Sequence, residues 1–87
     1  MDISLLGWLK GGEYRIKVLE LLTKTNFLLP SEIADNLKIH RSSISRILAD
    51  LKDKNLIKST SNESRTISYS ITKEGIEALK SLEQNGK

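Results

Sequence analysis

Residues 30–49 are PSEIADNLKIHRSSISRILA, and this stretch contains two short amphipathic helical patterns separated by a tight turn. Apolar side chains recur at helical spacing in each half, so each half predicts a helix with one buried face. Only residues 38–41 remain for the turn, and we therefore expect the two helices to cross steeply, as in a helix-turn-helix motif. The two apolar faces consist of Ile33, Ala34 and Leu37 in the first helix and Ile44, Ile47, Leu48 and Leu51 in the second.

Two positions in this stretch depart from the usual pattern of such motifs. Lys38 occupies the turn position that is usually glycine, because the backbone there must be left-handed. A non-glycine residue adopts that conformation at a cost of about 1 kcal/mol, so we expect the motif to form with a smaller margin. Leu29 precedes the helix that begins at Pro30, where a capping Ser or Thr is more common.

The flanking sequence predicts the remaining elements of an α+β, mostly helical fold. Asn55 is expected to end the recognition helix in a left-handed conformation, and Thr72 is expected to cap the last helix. These elements form a three-helix core, a two-stranded wing and a C-terminal helix. The predicted bounds are 12–24, 30–37 and 41–54 for the first three helices, 26–29 for an extended link to the sheet edge, 56–59 and 66–72 for the wing strands around a polar loop at 60–65, and 73–84 for the last helix.

Together with LKDKNLI at residues 51–57 and YSITKEG at residues 69–75, the motif resembles the winged helix-turn-helix domains of small bacterial and archaeal transcription regulators. The resemblance is to the MarR and ArsR types and covers residues 14–82. It implies a winged helix fold and a sequence-specific regulator that binds double-stranded DNA. Repression by occlusion is implied by the resemblance alone.

Length and composition predict one domain spanning residues 1–87. It comprises an apolar N-terminal segment (1–10), the helix-turn-helix (30–49), the wing hairpin (56–72) and the C-terminal helix (73–84). The chain has no cysteine, so neither a disulfide nor a thiolate metal site is expected, and a cytoplasmic setting is the simplest interpretation. No apolar stretch approaches the roughly 20 residues of a membrane helix. We expect no cofactor, no metal and no small-molecule ligand.

Enzyme activity is not indicated by any motif. The sequence has no glycine-rich phosphate loop, no histidine paired with a nucleophile and no carboxylate pair in an apolar setting. The stronger alternative to DNA binding is a winged helix that docks onto a protein or an RNA in a larger assembly. That alternative predicts exposed apolar or acidic side chains on the recognition helix, whereas this helix has serines and an arginine.

The basic residues are concentrated around the motif. Seven basic and three acidic residues lie between positions 38 and 65, so that region has a net charge of +4, whereas the rest of the chain has seven basic and eight acidic residues. A solvated surface could carry the same charges, but their coincidence with the motif favours a nucleic-acid contact.

The helical wheel of the second motif helix selects the side chains that would contact DNA. Arg46 is the candidate for reading a base, because a guanidinium pairs bidentately with guanine; the alternative is an ion pair with Asp50 one turn later. The serines could instead cap the helix, and His40 could contact a phosphate or cap the same helix. The full predicted set is His40, Arg41, Ser42, Ser43, Ser45 and Arg46, with Lys58 and Arg65 beside the wing.

The two ends of the chain have more apolar side chains than a small three-helix core requires. The first helix also has an apolar arc wide enough to be buried on two sides. A homodimer would cover this surface; the alternative is that the N-terminal segment folds back onto its own domain. Trp8 is expected to be buried in either case, on a second copy or on its own domain. The predicted dimer interface is Ile3, Leu6, Trp8, Leu9, Ile76, Leu79 and Leu82.

Overall fold

The computed structural model of the chain describes residues 3–25, 27–61 and 66–85, with only the backbone described at residues 84 and 85. In these ranges the element order is α1 (Ile3–Lys10), α2 (Glu13–Lys24), α3 (Pro30–Leu37), α4 (Arg41–Asp53), β1 (Ile57–Ser61), β2 (Ile67–Ile71) and α5 (Lys73–Asn85). The fold is therefore α+β and mostly helical, as expected. None of the helices in these ranges is long and apolar enough to cross a membrane.

The turn between α3 and α4 has the predicted left-handed residue. Lys38 has φ 58° and ψ 45°, and its backbone N–H donates to the carbonyl of Ala34, which is buried. The N–H of Ile39 donates to the same carbonyl at 3.1 Å, and its side chain packs against the core. The chain thus reverses within a few residues, which produces the tight helix pair without a glycine.

The N-terminus of α3 explains how Leu29 replaces a polar cap. Its backbone N–H donates to Glu32 Oε1 at 2.8 Å, and Pro30 occupies the first helical position, where no N–H needs a partner. One half of a capping box is therefore present, from the glutamate that reaches back to the cap residue.

The wing is the antiparallel pair of β1 and β2. Ile57 lies opposite Ile71, and Ser61 lies opposite Ile67 at the far end. The predicted link before α3 also joins the sheet, because Leu28 and Tyr69 exchange two backbone hydrogen bonds of 3.0 and 2.8 Å. β1 extends two residues beyond the predicted strand, because Thr60 and Ser61, which were expected in the polar loop at 60–65, pair with Ser68 and Ile67. The rest of that loop, residues 62–65, lies outside the described residues.

Burial along β2 does not follow a simple alternation. Ser70 is buried, and its hydroxyl has no hydrogen-bond partner among the described residues, whereas Ile67 is 47% exposed. Burial of this hydroxyl costs free energy that no hydrogen bond to those residues offsets. The serines of β2 are therefore not all on a solvent face.

The N-terminal segment forms a helix that the sequence pattern did not predict. In α1, Leu9 is fully buried and Leu6 is nearly so, and both lie against the chain's own helices α2 and α5. Trp8 was expected to be buried, but its ring is only half-buried at the edge of this contact. The segment thus folds back onto its own domain, which was the alternative to a purely intermolecular role.

A compact joint connects the end of α4, the start of β1 and the start of α5. Asn55 has φ 63°, as predicted for the helix stop. Thr72 Oγ1 donates to the Asn55 carbonyl at 2.7 Å and accepts from the Gly75 N–H at 3.0 Å, which confirms Thr72 as the cap of α5. The Thr72 N–H donates to the Leu56 carbonyl at 3.1 Å. Three elements therefore meet around one hydroxyl.

Gly75→Ala should destabilise the protein, because a Cβ at this position would overlap the Leu56 carbonyl oxygen. Overpacking of this kind costs about 1–3 kcal/mol, and a backbone atom cannot rotate away. Gly7→Ala is the matched control, since a methyl group there would meet no described atom outside its own helix within 4 Å, and alanine favours a helix by about 0.5–1 kcal/mol. Urea unfolding of both variants measures the difference, and equal stabilities would contradict the close approach.

Candidate nucleic-acid interface

The core fixes the orientation of α4 through one face of the helix. Ile44, Leu48 and Leu51 are fully buried or nearly so, and Ile47 packs against the same core. The other face is directed to solvent. The exposed residues include every predicted contact on this element, namely Arg41, Ser42, Ser43, Ser45 and Arg46, with His40 exposed immediately before them.

Arg46 and His40 do not make the intramolecular contacts that were the alternatives to DNA binding. In the part of the chain that the structure describes, Arg46 forms no ion pair with Asp50, and the only ion pair is Lys17–Glu13 at 3.5 Å. His40 is the N-cap residue of α4, but its side chain makes no capping hydrogen bond. Neither side chain is therefore held by the intramolecular contact that was its alternative.

Three of the predicted contacts form a shallow recess at the start of α4. Ser42, Ser43 and Arg46 line this recess, which is open to solvent. The first turn of a helix also has backbone N–H groups without intrahelical partners and a partial positive charge. The recess thus combines hydroxyl donors, a guanidinium and a positive helix end, a combination that suits an anionic or hydrogen-bonding ligand.

Charge is polarised along the exposed face of α4. Arg41 and Arg46 lie in its N-terminal half, and Asp50 and Asp53 lie in its C-terminal half, with all four side chains exposed. A polyanion is therefore attracted most strongly to the beginning of the helix, because Lys52 and Lys54 offset Asp50 and Asp53 at its other end.

The described residues of the wing include one cation. Lys58 is exposed on β1, where it lies opposite Ser70 in the antiparallel register. Arg65, the other predicted wing contact, lies outside the described residues.

A cation–π cluster at the end of α4 was not predicted from the sequence. The Lys54 ammonium lies 5.1 Å from the centroid of the Trp8 ring, and the Arg15 guanidinium carbon lies 4.1 Å from it. Arg15 also donates a hydrogen bond to the Trp8 carbonyl. The Trp8–Lys54 contact could not be predicted from the sequence, because the two residues are far apart along the chain and only the packing of α1 brings them together.

The residues predicted for a dimer interface differ in their surroundings. Leu6 and Leu9 are enclosed in the chain's own core, and Trp8 contacts the two cations described above. In contrast, Ile3 is 85% exposed and Ile76 is 39% exposed. The remaining two residues lie in an open groove of about 650 Å³ between α2 and α5, which is lined by Ile16, Glu20, Thr23, Lys24, Ile76, Leu79, Lys80, Leu82 and Glu83.

No group of three or more metal-ligating side chains occurs among residues 3–25, 27–61 and 66–83. A helix pair joined by a tight turn and exposing a polar face, followed by a two-stranded wing and a closing helix, defines a winged helix-turn-helix protein. Residues 12–59, more than half of the chain, match the bacterial regulatory proteins of the arsR family. The chain belongs to this family.

Solved structures with the same fold include several bacterial proteins. YusO from Bacillus subtilis is 34% identical with a TM-score of 0.72, over 76% of this chain and 48% of that one. ZitR from Lactococcus lactis, solved in complex with DNA, is 28% identical with a TM-score of 0.68, over 76% of this chain and 46% of that one. MarR from E. coli shares the fold with a TM-score of 0.79 at 20% identity, over 92% of this chain and 63% of that one. The chain spans about half the length of YusO and ZitR, and no curated protein gives a significant match.

Proposed function

We propose that this protein is a sequence-specific transcription regulator that binds double-stranded DNA, with α4 in the major groove. The observation that carries the proposal is the exposed face of α4, where Ser42, Ser43 and Arg46 line one recess and Arg46 is not paired with Asp50. The major groove admits a helix of this kind, and base edges there can be read by hydrogen bonds. The similarity to ZitR, which was solved in complex with DNA, supports DNA as the ligand.

The polarity of α4 sets the direction of entry. Its N-terminal half, with Arg41 and Arg46, would lie deepest in the groove, while Asp50 and Asp53 remain outside it. Arg46 would read guanine through two parallel hydrogen bonds to O6 and N7.

The other predicted contacts would hold the backbone. Phosphate contacts position a protein on the duplex, and base contacts specify the sequence. His40, Arg41 and the serines at the start of α4 would bind phosphates or nearby base edges, and Lys58 and Arg65 would contact the backbone or minor groove beside the wing.

Arg46→Ala should weaken binding to the preferred site by about 1–3 kcal/mol and change binding to random duplex much less, because the lost contact reads a base. Arg46→Lys is the matched control: it keeps the charge but loses the bidentate fork, so it should lose specificity as well. Arg65→Ala should weaken both kinds of binding alike. Titration of each variant with a selected site and with random duplex measures both effects, and an equal loss on both for Arg46→Ala would contradict its role as the base-reading residue.

Binding should weaken steeply with salt. Because the excess positive charge lies around α4 and the wing, each phosphate contact releases counterions, and we expect a log–log slope of about −3 to −8 for a dimer. Gel-shift or anisotropy titrations against duplex DNA at several salt concentrations give the slope. Absence of DNA binding, or an affinity independent of salt, would favour the alternative of a winged helix that docks onto a protein.

We further propose that the regulator acts in the cytoplasm as a homodimer and represses by occluding its site. A two-fold pair would place two recognition helices about 34 Å apart, so that they meet successive major grooves on one side of the duplex. The groove between α2 and α5 supports this pairing, since its lining contains Ile76, Leu79 and Leu82 from the predicted interface. Leu6 and Leu9 would then take no direct part in the interface, and would instead anchor α1 to the core of their own chain.

Leu82→Glu should shift the protein toward monomer at micromolar concentration, because the charge would face the partner's apolar surface. Glu77→Gln is the matched control, since Glu77 is exposed on the same helix and does not line the groove. Sedimentation velocity of both variants and of the unchanged protein reports the species present, with circular dichroism as a check on folding. A clean monomer for the unchanged protein would refute the dimer, and a fully dimeric Leu82→Glu variant would place the interface elsewhere.

A further inference from the structure

Trp8 connects three helices through its half-buried ring. The ring belongs to α1, the Arg15 guanidinium carbon of α2 lies 4.1 Å from its centroid, and the Lys54 ammonium at the end of α4 lies 5.1 Å from it. Both distances are within the roughly 6 Å over which a cation is attracted to the face of an indole. Neither interaction involves a side chain that is proposed to contact DNA.

On one side, the ring is held firmly to the frame of the domain. Arg15 donates a hydrogen bond to the Trp8 carbonyl in addition to its contact with the ring. The next residue, Leu9, is fully buried in the core. The position of the indole is therefore set by α1 and α2.

On the other side, the ring meets the point where α4 ends and the wing begins. The Lys54 N–H donates to the Asp50 carbonyl at 3.2 Å, and the Leu56 N–H donates to the Leu51 carbonyl at 3.0 Å. Asn55, between them, is left-handed, and β1 begins at Ile57. A contact at Lys54 therefore acts on the joint between the recognition helix and the wing.

We infer that Trp8 is a positioning residue for DNA binding: its ring holds Lys54 and so adds to the core contacts that orient α4 relative to α1 and α2. The inference rests on the proposed function. Trp8 itself does not contact the duplex in this arrangement, because Lys54 lies beyond Asp50 and Asp53 at the C-terminal end of α4. That end is opposite to the one occupied by Arg41 and Arg46.

Two substitutions remove the contact from either side. Trp8→Leu deletes the ring but keeps an apolar side chain, and Lys54→Met deletes the ammonium but keeps the length of the stem. Each should weaken binding to a selected duplex site by about two- to fivefold, the range expected for an exposed cation–π contact. The salt slope should stay unchanged, because no phosphate contact is lost. The double variant should be no weaker than the Trp8→Leu variant, because Trp8→Leu already removes the contact with Lys54 as well as the contact with Arg15.

Three further variants serve as controls. Trp8→Phe and Lys54→Arg keep an aromatic ring and a cation, so both should retain most of the affinity of the unchanged protein. Lys52→Met removes a charge from the same end of α4, where none of the described ring contacts involves it, so its effect should add to that of Trp8→Leu. Thermal unfolding followed by circular dichroism verifies that every variant is folded at the assay temperature.

The outcomes separate this inference from the proposed function. If the unchanged protein binds duplex DNA and the Trp8→Leu variant binds it equally well, only the inference is overturned. It is also overturned if the two single effects add, or if Lys54→Met reduces the salt slope by about one, which would indicate a direct phosphate contact. If Trp8→Leu does not fold, the comparison of Lys54→Met with Lys54→Arg decides. Failure of the unchanged protein to bind any duplex overturns the proposed function and this inference together.

Discussion

The close approach of α5 to the Leu56 carbonyl is the constraint on which the arrangement of the other elements depends. Gly75 permits this approach because a side chain there would overlap the carbonyl oxygen. Thr72 fixes it from both directions, as a donor to Asn55 and as the acceptor for the first turn of α5. These contacts hold the end of α4, the start of β1 and the start of α5 close together. The angle between the recognition helix and the wing is therefore defined even in a domain of this size.

Segregation of polar and apolar groups on α4 follows from that arrangement. The apolar stripe of Ile44, Leu48 and Leu51 is fully used by the core. Arg46 and the neighbouring serines are not needed for that packing, and their exposed side chains remain available for a ligand. A small domain cannot easily provide a binding surface by building a cavity, but it can do so by directing one face of a well-anchored helix toward solvent.

Local signals in the sequence were sufficient for most of the fold. Helical spacing identified α3 and α4, the left-handed conformations of Lys38 and Asn55 followed from their places after helices, and Thr72 was recognised as a cap from its position before α5. The helix at Ile3–Lys10 was missed, because an apolar run next to two glycines does not distinguish a helix from an extended segment. For the candidate site, the exposed side chains of α4 could be predicted from its wheel. The contact of Trp8 with Lys54 could not, since it depends on long-range packing that periodicity does not encode.

The pair of hydrogen bonds between Leu28 and Tyr69 has a mechanical consequence. These bonds attach the segment just before α3 to the second wing strand. The helix pair and the wing are therefore connected by hydrogen bonds at two places, here and at the Asn55–Thr72 junction. A hinge motion between the helix pair and the wing would have to break both connections at once. The two parts would therefore be held at a fixed distance and angle from each other. In the proposed complex, the duplex would have to deform wherever the fixed distance between helix pair and wing does not match the spacing of its grooves. Flexible base steps beneath the wing would therefore be favoured even where no side chain touches a base.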